Sequence, residues 1–121
     1  KFIEAHKKRP KHCLFSMMVF KTDYPELCGV VKVNKNNVLI DYQEKSKKPK
    51  SNIANGAVFI LTKKFMKILN KDYSHCKDFS KEIIKDFIGS VYCYKNNNFF
   101  ADIGQKKSLN SARKYMRNKK K

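Results

Sequence analysis

The sequence predicts an α/β domain, a mixed sheet with flanking helices, and three observations carry the prediction. Residues 13–20 are a nearly continuous apolar run of strand length, the pattern of a strand covered on both faces. Strand-like and helix-like stretches then alternate along the chain with no internal repeat, the order of elements in an α/β class. With 121 residues, 14.2 kDa and 41% hydrophobic content, the chain holds enough apolar material for one packed domain and is too short for two.

Taken in order, residues 2–6 read as the end of a helix, stopped by Lys7, Lys8, Arg9 and by Pro10, which disfavours helix in the residue before it. The run at 13–20 takes a central position in the sheet. Thr22, Asp23, Tyr24 and Pro25 punctuate the chain, after which Gly29, Val30, Val31, Lys32 and Val33 alternate as a half-buried strand. A turn cluster from Asn34 to Asn37 joins it to Val38, Leu39 and Ile40, giving a hairpin whose second strand delivers Glu44 and Lys45. Residues 45–52 are polar, hold Pro49 and read as a loop, and Ala54, Asn55 and Gly56 open a strand over 57–61. Thr62 caps a helix with Phe65, Ile68 and Leu69 on one face; Ser80 caps another with Ile83, Ile84, Phe87 and Ile88 inward. A strand at 90–94 and a turn at Asn96, Asn97 and Asn98 follow. The last helix, over 108–116, packs Leu109, Ala112 and Met116 ahead of a basic tail at 117–121.

Net charge of +18 and a pI of 9.9 bring nucleic acid to mind first. The cations, however, are 25 Lys against 3 Arg, spread along the whole chain, whereas specific readers of bases and phosphates favour the bidentate Arg fork. Charge alone then predicts only nonspecific, salt-sensitive binding to nucleic acid. A basic nucleic-acid module stays as an alternative, with Phe15, Phe20, Tyr92 and Tyr94 as stacking platforms, although core packing explains those aromatics more simply. No apolar run approaches the roughly 20 residues of a membrane span, and no cleavable leader pattern is found, so a cytoplasmic protein without a membrane partner is expected. Cys13, Cys28, Cys76 and Cys93 form no C-x-x-C pair and read as reduced, buried thiols; His6, His12 and Cys13 match no common zinc spacing.

Chemistry concentrates in four short elements: Cys28-Gly29-Val30, Glu44-Lys45 at a strand end, Asn55-Gly56 at the start of the next strand, and Phe100-Ala101-Asp102-Ile103-Gly104. A carboxylate and an ammonium at the mouth of one strand, facing an Asn-Gly at the next, make a polar pocket able to hold a phosphorylated polyol. The ordered set resembles the sugar-1-phosphate nucleotidyltransferases, in which an E-K(-P) strand end, an N-[AG]-G strand start and an F-x-D-I-G segment line the sugar-phosphate half of the site. The likeness covers residues 2–116 and is closest to the branch acting on heptose or mannose 1-phosphates, a guanylyltransferase-like branch. Ser46 stands where proline is usual, Gln105 where threonine is usual, and Gly56 where alanine is commoner; none of these removes a charged group.

The resemblance implies the rear portion of a Rossmann-like, GT-A-like domain. It also implies a reaction in which a sugar 1-phosphate oxygen attacks the α-phosphorus of a nucleoside triphosphate in line and pyrophosphate leaves. That step needs positioning and charge neutralisation more than covalent chemistry. By the same likeness Lys45 clamps phosphate and serves catalysis, Glu44 accepts from two sugar hydroxyls, Gly29, Asn55 and Gly56 line the sugar, and Asp102 is a catalytic ligand of Mg²⁺. The family's opening G-x-G-x-R loop and P-K segment are not found in the sequence. Residues 1–121 are therefore expected to be the C-terminal part of a nucleotidyltransferase domain, truncated before Lys1, needing the N-terminal part as partner and inactive alone, with apolar surface exposed around Leu14 to Phe20. The rival within this reading is a noncatalytic remnant or complementing fragment that binds sugar phosphate.

Overall fold

The computed structural model describes residues 1–98 and 106–119. Five strands, β1 (Phe15–Lys21), β2 (Gly29–Val33), β3 (Leu39–Glu44), β4 (Ile53–Leu61) and β5 (Val91–Lys95), form one mixed sheet in the order β3-β2-β4-β1-β5. The apolar run lies where its two-sided hydrophobicity demands: β1 pairs antiparallel with β4 on one side and parallel with β5 on the other. Phe15, Ser16, Met17, Val19 and Phe20 are all buried. The exposed apolar surface expected around Leu14 to Phe20 is thus not there, because both flanks of β1 are paired and both of its faces are covered. Burial of Phe15 and Phe20 also removes them as stacking platforms for bases, while Tyr94 stacks on Phe2 of α1 (Phe2–Lys7) at 5.2 Å between ring centroids.

One face of the sheet carries the main core. Phe15 stacks on Phe65 with ring centroids 4.4 Å apart and meets Phe79, Phe59 and Phe87 edge-on at 5.5, 6.1 and 6.3 Å. Such offset and edge-to-face contacts add to the burial of the rings themselves. Phe65 belongs to α2 (Lys63–Asp72), whose start is fixed by Thr62: its hydroxyl accepts from the Phe65 N–H at 3.1 Å and donates to the Leu14 carbonyl at 2.6 Å. The second predicted helix differs from expectation. Asp78, not Ser80, is its cap, accepting from the Lys81 N–H at 3.0 Å, while Glu82 accepts from the N–H groups of Asp78 and Lys77. Helix α3 (Phe79–Glu82) is one turn long and passes into a 3₁₀ turn at Ile84–Phe87, which buries Ile83 and Ile84 but leaves Ile88 exposed.

The sheet rolls. Val38 bridges Tyr92 antiparallel, the Cys93 N–H donates to the Asn37 carbonyl at 2.8 Å, and the Gly89 N–H donates to the Leu39 carbonyl at 2.8 Å. The start of β3 therefore meets β5, at the other end of the strand order, and gives backbone groups of two edge strands partners they would otherwise lack. Helix α4 runs over Lys106–Lys119, so Arg117 to Lys119 of the expected basic tail are helical.

Candidate functional site

The hairpin of β2 and β3 sets the geometry of the site. Its register places Gly29 opposite Glu44 and Val31 opposite Tyr42, so Gly29, Tyr42 and Glu44 share one face. Beyond Glu44 the chain leaves the strand through Lys45, which has a left-handed φ of 49°, is exposed, and is tied back by its N–H to the Cys28 carbonyl at 3.0 Å. Lys45 thus sits immediately outside the carboxylate, with its backbone fixed and its side chain in solvent.

Asn55 and Gly56 do not open a strand, as expected, but lie within β4. The pairing of β1 with β4 jumps from Met17–Phe59 to Val19–Asn55, so Gly56, Ala57 and Val58 bulge opposite Met18. Ala57 takes a left-handed φ of 57°, and the Asn55 side-chain carbonyl accepts its N–H at 2.7 Å. An Asx turn inside a strand is the local cause of the bulge. It also decides which way the amide points: with Oδ1 held by Ala57, Nδ2 donates to Ser80 Oγ at 2.9 Å and to the Tyr42 hydroxyl at 3.3 Å.

Tyr42 joins these groups. Its hydroxyl donates to Glu44 Oε2 at 2.8 Å and accepts from Asn55. Burial lifts the phenol well above its ordinary value of 10; the Asn55 and Ser80 hydrogen bonds pull the other way and the Glu44 carboxylate adds to the rise. The phenol stays protonated, and so stays a donor to Glu44, across the physiological range. Gly29 is what makes room: a Cβ there would lie 2.1 Å from the Tyr42 oxygen, 2.7 Å from Cζ and 3.1 Å from Glu44 Oε2. Glu44 Oε1 has no hydrogen-bond or ion-pair partner among the described residues.

Of the residues singled out in the sequence, the structure brings Gly29, Glu44 and Asn55 together and sets Lys45 and Gly56 directly beside them. Asp102, with Phe100 and Gly104, lies outside the described residues. Sequence reasoning missed Tyr42 and gave Ser80 another role. Tyr42 could have been found, since two residues before Glu44 on one strand is the same face; nothing local tells that Ser80 meets Asn55. Among the described residues no three His, Cys, Asp or Glu side chains converge on a metal-sized site, and no helix is long and apolar enough to cross a membrane.

The nucleotidyl transferase family model matches residues 1–119. This chain belongs to that family. Among curated relatives, the glucose-1-phosphate adenylyltransferase of Clostridium acetobutylicum is 25% identical over 114 residues, covering 88% of this chain and 30% of that protein. The enzyme of the same name from Fervidobacterium nodosum is 35% identical over 82 residues, covering 63% and 20%. The bifunctional protein GlmU of Methanocaldococcus jannaschii is 29% identical over 111 residues, covering 87% and 27%. The chain thus spans under a third of the length of these relatives. A crystal structure titled as a glucose-1-phosphate thymidylyltransferase from Bacillus anthracis in complex with sucrose superposes with a TM-score of 0.67 at 22% identity, over 92% of this chain and 46% of that one. Its likeness is one of fold: the α/β class with a mixed sheet and flanking helices is that of a nucleotidyltransferase of Rossmann type.

Proposed function

We propose that this nucleotidyl transferase chain supplies the sugar-phosphate side of a site that transfers a nucleoside monophosphate from a triphosphate to a sugar 1-phosphate. The observation that carries the reading is the convergence of Gly29, Glu44 and Asn55 on one hydroxyl, that of Tyr42, in a chain of this family. Glu44 Oε1 accepts from a sugar hydroxyl, Gly29 makes room for the Tyr42 hydroxyl that holds Glu44 in place, and the Lys45 ammonium, a compact point charge, holds the 1-phosphate. Asn55 and Gly56 shape the wall of the sugar pocket from within the β4 bulge. In the transfer a new bond forms from the sugar phosphate oxygen to the α-phosphorus as the bond to the β-phosphate oxygen breaks. Charge neutralisation by Lys45 serves both states.

Asp102 is proposed as a ligand of Mg²⁺, which would supply further neutralisation of phosphate charge when bound. A magnesium ion held by one or two carboxylates, substrate phosphates and water needs no cluster of protein ligands, so the absence of one among the described residues is compatible with it. The triphosphate half of the site is not represented by a G-x-G-x-R loop in this sequence. We therefore expect the 121-residue chain to bind sugar 1-phosphate without turning it over.

Calorimetric titration with glucose, mannose and heptose 1-phosphates tests the reading, with pyrophosphate release followed in the presence of all four triphosphates and Mg²⁺. Binding of one or more sugar phosphates, weakened about tenfold or more in Lys45→Ala, is the expected result, a charge-assisted contact being strong enough for that. Heptose and mannose 1-phosphates stand first in the panel because the Glu44-Lys45 and Asn55-Gly56 pattern is closest to that branch. No binding by a folded chain would overturn the reading, and turnover by this chain alone would overturn the division of the site.

A further inference from the structure

Tyr42 stands in the middle of the sugar-contacting groups, and its chemistry there is fully specified. Its single proton goes to Glu44 Oε2 at 2.8 Å. Its oxygen accepts from Asn55 Nδ2, whose orientation is locked because Oδ1 takes the Ala57 N–H at 2.7 Å and Nδ2 also donates to Ser80 Oγ. The phenol itself fills the volume directly over Gly29, where even one added carbon would come within 2.1 Å of it. Two consequences follow for a bound sugar. Only Oε1 of the carboxylate is left fully open to a substrate hydroxyl, and the space over Gly29 is closed to any substituent larger than that hydroxyl.

On the sugar-phosphate reading given above, we propose that Tyr42 is a positioning residue that fixes which sugars the site accepts. It holds Glu44 and Asn55 in one geometry and, by occupying the corner over Gly29, favours sugar 1-phosphates that present a bare hydroxyl to Glu44 over those carrying an acetamido group at that ring carbon. The phenol works like a built-in hydroxyl. It satisfies the half of the carboxylate that a second sugar group would otherwise use, so that a single donor suits the remaining acceptor, while the acetyl arm of an acetamido group runs into the phenol over Gly29. A buried polar group left unpaired discriminates more strongly than an added or missing methylene does.

The test uses the 121-residue chain in three forms, wild type, Tyr42→Phe and Tyr42→Leu, titrated calorimetrically with glucose 1-phosphate, mannose 1-phosphate and N-acetylglucosamine 1-phosphate. Thermal melts confirm that each form is folded. Wild type is expected to bind at least one plain hexose 1-phosphate about tenfold or more tighter than the acetamido sugar. Tyr42→Phe keeps the ring but no longer fixes Glu44 and Asn55 in one geometry, so hexose affinity should fall by a few-fold to about tenfold from lost preorganisation. Tyr42→Leu opens the corner over Gly29, and the ratio between the two sugar types should shrink toward one. That ratio separates the proposal from a merely structural role, which would weaken all sugars alike. An unchanged affinity and ranking in both variants, an equal loss for every sugar, or a wild type that does not discriminate would overturn the role of Tyr42 and leave the sugar-phosphate reading standing. A folded wild type that binds none of the three removes that reading and the role of Tyr42 with it.

Discussion

Replacing Gly29 by alanine would put a methyl carbon 2.1 Å from the Tyr42 hydroxyl oxygen, 2.7 Å from its Cζ and 3.1 Å from Glu44 Oε2. All three distances are inside contact range, and two of the atoms belong to a ring packed against the core, so the phenol must swing away rather than shift a flexible tip. Doing so breaks the bond to the Glu44 carboxylate, about 1.5–3 kcal/mol for a hydrogen bond to a charged group. Forcing extra carbon into a packed site adds about 1–3 kcal/mol. Alanine in a strand is favoured over glycine by roughly 0.5–1 kcal/mol, which offsets part of the loss. The site is only half-buried, so the low ends of the ranges apply, and the net cost comes to about 1.5–2 kcal/mol. Urea unfolding of the full chain, followed by far-UV circular dichroism, should show the midpoint falling by about 1 M for a slope of about 1.5 kcal/mol/M. Made instead in a Tyr42→Leu chain, the same substitution should cost little, because the two atoms it strikes hardest are gone and only the milder contact with Glu44 Oε2 stays. The coupling between the two positions then exceeds 1 kcal/mol, well outside the scatter of about 0.5 kcal/mol for independent sites. A Gly29→Ala chain as stable as wild type, or an equal cost in both backgrounds, would refute the claim that Gly29 exists to seat the Tyr42 hydroxyl.

His6 gives a pH dependence of stability. Its Nδ1 lies 2.6 Å from the hydroxyl of fully buried Ser16, and burial, then the Arg9 cation, holds the imidazole below its ordinary value of 6.5. A group whose folded pKa is depressed contributes stability that is present above its unfolded value and is lost as pH falls through the folded one. The melting temperature should therefore be level above pH 6.5 and fall as the pH is lowered toward 5. In His6→Asn, which cannot titrate, that fall should flatten; an identical pH profile would remove His6 as its source. The cysteines should separate by reactivity. Cys93 is buried, and burial followed by the nearby Cys13 pushes its thiol up to about 12, while Cys28 and Cys76 are half-buried. Iodoacetamide at pH 8, read by peptide mass spectrometry, should label Cys76 and Cys28 in the native chain and reach Cys93 only after unfolding.

Much of the fold was written in local pattern. The two-sided apolar run became β1, an interior strand paired on both sides, the alternation at Gly29 to Val33 became β2, the Asn-rich cluster became the hairpin turn, and Thr62 capped α2. These elements depend on periodicity and on contacts within a few residues, which a sequence displays directly. The candidate site was legible to the same degree. Gly29, Glu44 and Asn55 belong to three different strands, and their order along the chain, matched to a family pattern, was enough to group them.

What sequence by itself could not decide was how long-range contacts would settle local choices. Asn55 had to be seen beside Ala57 and opposite Met18 before its Asx turn read as a bulge within β4 rather than as the start of a strand. Ser80 has the chemistry of a helix cap, and Asp78 took that place because its carboxylate meets the Lys81 N–H; the Ser80 hydroxyl was thereby left to receive Asn55 from 25 residues away. Tyr42 carries an aromatic ring that any buried strand could use, and only the pairing of β2 with β3 sets its hydroxyl over a glycine and against a carboxylate. The meeting of Val38 with Tyr92, which rolls the sheet, joins segments with no mark of one another in their composition. Hydrophobic period and capping are properties of a few neighbouring residues, whereas the partner of a hydroxyl or of an edge strand is fixed by where the rest of the chain has folded.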